Sequence, residues 1–180
     1  MFEHACRWYR IHLERGGSPV SLAVNVSKAG LFQNDFVDFY TDIKDKYSVP
    51  DGVLELEFTE SMLAADTELF AELVVNLNAR GFICSLDDFG SGYSSLNLLK
   101  NLPIDVLKLD ILFFHKSRDI RRERIVVSNV INMARELNIK TIAEGVEDMD
   151  TVEFLRKAGC NVIQGYVFAK PCLRRILNIC

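Results

Sequence analysis

Six short apolar runs, each closing on a polar or acidic residue, constrain this chain more than any other feature. They are Leu22-Ala23-Val24-Asn25, Val53-Leu54-Glu55-Leu56-Glu57, Ile83-Cys84-Ser85-Leu86-Asp87-Asp88, Val106-Leu107-Lys108-Leu109-Asp110, Thr141-Ile142-Ala143-Glu144 and Asn161-Val162-Ile163-Gln164. Stretches with helical spacing separate them, which predicts parallel strands of an α/β domain. In barrels of this type the working groups sit at the carboxyl ends of the strands. Asn25, Glu57, Asp87, Asp88, Glu144 and Gln164 would then share one mouth, with Lys108 nearby. Hard oxygen ligands beside a single lysine suit divalent-metal chemistry on a phosphate ester.

The chain has 180 residues, 49% of them hydrophobic, enough for one domain with a substantial core. A net charge of −4 argues against binding a nucleic-acid polymer, which needs a basic face. The basic stretch from Arg118 to Arg124 is broken by acidic residues and reads as the solvated first turns of a helix. Five cysteines form no C-x-x-C pair and are odd in number, so reduced thiols in a cytoplasmic setting are expected rather than a disulfide framework. No apolar run approaches the ~18 residues of a membrane span, and the opening residues lack a signal peptide's apolar core.

Helices are expected over 3–14, within 33–47, from Asp66-Thr67 to about Arg80, over 119–137 and over 148–158. Strands are expected over 21–26, 53–58, 82–87, 105–110, 140–144 and 161–166. A (β/α)8 barrel has eight strands and about 250 residues. The expected architecture is therefore a TIM-like (β/α)8 barrel left incomplete at about six strands, within a single domain over 1–180.

Asp87-Asp88 is the sharpest local signal. Adjacent carboxylates repel, and a cation beside them removes that cost. The glycine-rich loop Phe89-Gly90-Ser91-Gly92-Tyr93 follows directly, as substrate-adjacent loops often do. Glu57 and Glu60 leave one strand three residues apart, and Glu144 and Glu147 repeat the arrangement. Glu60 also has an alternative role as a helix cap. Asn25 offers a neutral amide oxygen. Lys108 alternates with Leu107 and Leu109, which turns it inward, where an unpaired ammonium is costly. The three histidines show no ligand spacing.

Taken in series, Asn25-Val-Ser, Leu56-Glu57-Phe-Thr-Glu60-Ser61, Asp87-Asp88-Phe-Gly-Ser-Gly-Tyr-Ser-Ser95-Leu96, Leu107-Lys108-Leu-Asp110, Ala143-Glu144-Gly-Val-Glu147 and Gln164-Gly-Tyr resemble the EAL-domain family. These are bacterial phosphodiesterases that hydrolyse cyclic di-GMP to linear pGpG. The resemblance implies a two-metal site for Mg²⁺ or Mn²⁺. Asn25, Glu57, Asp87 and Glu144 match its ligands, with Asp88 on the side of the second metal. Lys108 matches the lysine that orients the attacking water, assisted by Glu147 and Gln164, and Glu60 matches the glutamate that steadies loop 89–95. The Glu-Ala-Leu motif that names the family is absent from the chain. Residues 2–8 resemble a helix further along the family's sequence, so the expected domain lacks its amino-terminal βα segment.

The implied function is metal-dependent hydrolysis of cyclic di-GMP, with little turnover from these residues alone because one metal ligand is missing. The alternative is a noncatalytic cyclic di-GMP receptor or protein-interaction module. The resemblance also leaves room for an upstream sensor or GGDEF-type domain. Strands 21–26 and 161–166 are expected to become open edges, with Leu22, Val24, Val162 and Tyr166 losing packing there, which favours a homodimer.

Overall fold

The computed structural model describes residues 1–31, 33, 35–63, 66–89, 96–110 and 119–170. In chain order the elements are α1 (Phe2–Glu14), β1 (Leu22–Asn25), α2 (Phe36–Lys46), β2 (Leu54–Thr59), α3 (Glu60–Leu63), α4 (Thr67–Ala79), β3 (Ile83–Phe89), α5 (Leu96–Asn101), β4 (Val106–Leu109), α6 (Ile120–Glu136), β5 (Lys140–Ala143), α7 (Met149–Ala158) and β6 (Val162–Ile163). They form two compact units, Met1–Leu107 and Lys108 onward. With six strands among the described residues, the α/β architecture falls short of the eight that close a (β/α)8 barrel.

In the first unit β1, β2 and β3 are parallel neighbours, with Asn25 opposite Glu57, Glu57 opposite Ser85 and Thr59 opposite Asp87. Strand side chains alternate between faces, so this register divides the sheet chemically. Val24, Leu54, Leu56, Phe58, Cys84 and Leu86 are buried on one face. Phe70 of α4 meets Phe58 there edge-on, with ring centroids 5.1 Å apart. Val74 and Leu77 extend that contact at helical spacing, and each such side chain contributes about 1.5–3 kcal/mol on burial. The other face carries Asn25, Glu55, Glu57, Thr59, Ser85 and Asp87. Asp66 caps α4 by accepting from the amides of Glu68 and Leu69.

The amino end of β4 joins this unit through Asp105, whose amide donates to the Cys84 carbonyl while its carboxylate accepts from the Cys84 amide at 2.8 Å. The carboxyl end of β4 belongs to the second unit, where the Leu109 carbonyl accepts from the Glu144 amide at 3.0 Å. There β5 and β6 run parallel, with Ile142 opposite Val162 and Ala143 opposite Ile163. Helix α6 buries Val127, Val130, Ile131 and Ala134, a stripe at i, i+3, i+4 and i+7. Asp119 and Asp148 cap α6 and α7. The basic start of α6 is largely solvated, and Arg124 pairs with Asp150 of α7 at 2.5 Å.

Element placement follows the sequence expectations closely, with three differences. The strand expected over 161–166 is only Val162–Ile163, because after the Gln164 amide donates to Ala143 of β5, the Gln164 carbonyl and the Val167 amide bond to Val146 in the turn following β5 instead of extending a ladder. The four-residue helix α3 begins at Glu60 itself, directly after β2. Val24 is not a site of lost packing: it is 6% exposed, because it lies on the apolar face opposite Leu56. Val162 and Tyr166 are exposed, at 49% and 57%.

Candidate active site

Each unit presents its own set of polar groups. In the first, parallel strands bring Asn25, Glu57 and Asp87 to one end and one face, since their register partners share that face. Glu57 is 6% exposed, and Ser85, its partner on β3, is fully buried with its hydroxyl 3.5 Å from the Leu56 carbonyl. Asp87 Oδ1 accepts from the Asp88 amide at 2.9 Å. Asp88 is exposed and adopts φ +58°, a left-handed conformation that aspartate tolerates better than most residues. Strain of this kind concentrates at functional turns. Phe89 is buried at the end of β3, whereas Gly90, Ser91, Gly92 and Tyr93 lie outside the described residues. Glu60 opens α3, half-buried.

In the second unit the Lys108 ammonium lies 2.7 Å from Glu144 Oε1. Lys108 is 7% exposed, flanked on its strand by the fully buried Leu107 and Leu109, so the carboxylate compensates a charge that burial penalises. Glu144 directly follows β5. Glu147 and Gln164 are exposed, and the Gln164 carbonyl accepts from the Val146 amide at 3.1 Å.

The donors of the first unit are an amide oxygen and carboxylates, the hard set that suits Mg²⁺ or Mn²⁺. Among the described residues, no three His, Cys, Asp or Glu side chains gather into a metal-holding cluster. Sequence reading missed two polar residues on this face, Ser85 and the buried Glu55. The strict alternation of Leu54-Glu55-Leu56-Glu57 is the signal that places Glu55 there.

Cys84, beneath this face, has its thiol pushed well above the usual range by burial, with the Asp105 and Glu55 carboxylates adding to the shift. It behaves as a small core hydrophobe. Among the described residues no helix is long and apolar enough to cross a membrane.

MucR of Pseudomonas aeruginosa, named a bifunctional diguanylate cyclase/cyclic di-GMP phosphodiesterase, is 36% identical over 171 residues, 95% of this chain and 25% of its own length. The chain thus spans about a quarter of that relative. Among solved structures, the EAL domain of Mycobacterium smegmatis DcpA matches with a TM-score of 0.90 at 32% identity, covering 98% of this chain and 80% of that one. The PaMucR phosphodiesterase in complex with c-di-GMP matches with a TM-score of 0.87 at 36% identity, covering 98% and 71%. The family model for the EAL domain matches residues 1–171. Fold, motif series and family match agree over nearly the whole length: the chain belongs to the EAL domain family.

Proposed function

We propose that the protein carrying this chain hydrolyses cyclic di-GMP to linear pGpG in a reaction that depends on Mg²⁺ or Mn²⁺, with two cations at the site. The observation that carries this reading is the alignment of Asn25, Glu57 and Asp87 on one face at the carboxyl ends of three adjacent parallel strands. These three residues, with Asp88 and Glu144, are the proposed oxygen ligands. The cations would supply Lewis acidity and neutralise the charge that builds on the phosphodiester. Lys108 holds the attacking water by its oxygen, and Glu147 and Gln164 fix that water's direction. Water adds in line to one phosphorus, one ribose oxygen leaves, and the ring opens to the linear dinucleotide. Glu60 steadies the substrate-adjacent loop Phe89-Gly90-Ser91-Gly92-Tyr93.

The proposed setting is the cytoplasm, supported by the free thiols of Cys6, Cys84 and Cys160. An upstream sensor or GGDEF-type domain is part of the proposal. So is a homodimer, favoured by the exposed Val162 and Tyr166. Residues 1–180 form one functional domain in this reading, completed by the family's Glu-Ala-Leu segment.

The second reading is a noncatalytic cyclic di-GMP receptor or protein-interaction module. A product assay separates the two. Residues 1–180 are compared with the same chain joined to a Glu-Ala-Leu strand, each with Mg²⁺, Mn²⁺ or chelator. Cation-dependent pGpG from the joined form supports the enzyme, and binding without cleavage supports the receptor.

A further inference from the structure

Strand β6 has only two residues, yet its register decides where Gln164 points. Side chains alternate along a strand, so a slip of one residue would turn Gln164 to the opposite face. A two-residue ladder specifies register weakly, and two features outside the ladder supply what it lacks. At the amino end, Asn161 Oδ1 accepts from the Thr141 amide at 2.8 Å and from the Thr141 hydroxyl at 3.1 Å. The Asn161 amide in turn donates to Thr141 Oγ1 at 3.3 Å. Thr141 is 1% exposed, so its groups have little access to water if Asn161 is withdrawn.

At the carboxyl end, a Cβ on Gly165 would fall 2.0 Å from the Val146 carbonyl oxygen and 2.3 Å from the Val146 nitrogen. Those are backbone atoms of the turn between Glu144 and Glu147, and they cannot swing aside as a flexible side chain could. A slip that placed Gln164 or Tyr166 at the Gly165 position would therefore collide with this turn. Only the observed register allows the Gln164 amide to donate to Ala143 at 2.8 Å while its carbonyl accepts from Val146 at 3.1 Å.

We infer that Asn161 and Gly165 form a two-ended register lock and that Asn161 is a positioning residue for Gln164 and for the turn bearing Glu147. The catalytic part of the inference rests on the phosphodiesterase reading above; the lock does not. Amide hydrogen exchange tests the lock in the full protein without any assay of activity. Asn161→Ala should remove protection from the Gln164 and Val146 amides while Leu56 and Phe58 keep theirs. Unchanged protection at Gln164 overturns the lock.

Kinetics then tests positioning. Asn161→Ala should lower kcat by roughly tenfold to a hundredfold with KM nearly unchanged, the scale of an ångström-sized misplacement. Asn161→Asp, which keeps the acceptor, should restore most of the rate. In a Gln164→Ala background, Asn161→Ala should cost less than in the unmutated protein, leaving only the part exerted through the Glu147 turn. An equal loss in both backgrounds would reduce Asn161 to a structural residue. Absence of any hydrolysis by the unmutated chain joined to a Glu-Ala-Leu strand would overturn the enzymatic reading and the positioning role with it, and would leave the exchange result standing by itself.

Discussion

The Lys108 ammonium and Glu144 Oε1, 2.7 Å apart, form an ion pair in which the base is nearly buried and the acid is about one-quarter exposed. The asymmetry determines what each substitution should do. Glu144→Gln takes a carboxylate away from a nearly buried ammonium and should destabilise the fold. Lys108→Met removes the charge and keeps an apolar stem, so most of the stability should remain. Hydrolysis should be lost in both. Urea denaturation beside a pGpG assay checks this, and equal stability losses would contradict it.

Glu57 is the most buried of the proposed first-unit ligands, at 6% exposed. In the chain joined to a Glu-Ala-Leu strand, Glu57→Ala should abolish turnover, and chelator should do the same to the unmutated joined form. Restoring Mg²⁺ or Mn²⁺ should rescue only the unmutated form. Isothermal titration with the cation alone gives an independent reading: Glu57→Ala should weaken the heat of binding, and an unaltered titration would remove Glu57 from the ligand set.

Lys44 of α2 is 7% exposed in its side chain and pairs with Asp51, which is 76% exposed, in the turn before β2. The ammonium also lies 5.8 Å from the Phe82 ring centroid. Here too the buried partner is the base, so Asp51→Ala should destabilise more than Lys44→Met. Asp51 packs over Gly81, where φ is +80° and an added Cβ would come within 2.2 Å of the aspartate side chain. Gly81→Ala should therefore cost at least about 1 kcal/mol. Thermal melts of the three variants rank these effects.

Cys6 is fully buried on α1, and burial pushes its thiol up from 9.0 to about 11. The unfolded thiol loses its proton near 9, whereas the folded one keeps it until about 11. The associated stability is complete below the lower value and falls as pH rises through this window. Denaturation midpoints should therefore decline more steeply between pH 9 and 11 in the unmutated protein than in Cys6→Ala. Alkylation of Cys6 at pH 8 should be slow until denaturant is added.

The strand ends were legible because alternation and helix periodicity are local properties: Leu54-Glu55-Leu56-Glu57 announces both a strand and its polar face, and Asp66, Asp119 and Asp148 mark helix starts through bonds to amides two or three residues away. What the linear order could not supply were pairings between distant residues. Thr141 with Asn161, Lys44 with Asp51 and Cys84 with Asp105 each depend on which elements become neighbours. The length of β6 was hidden for the same reason. Asn161-Val162-Ile163-Gln164 has a strand's composition, but the Gln164 carbonyl finds its partner, the Val146 amide, in the turn after β5, and only the folded chain brings that turn beside it. Sequence by itself determined the order of strands and helices and the family; tertiary structure decided how the polar strand ends are held, because register and burial are set by contacts remote along the chain.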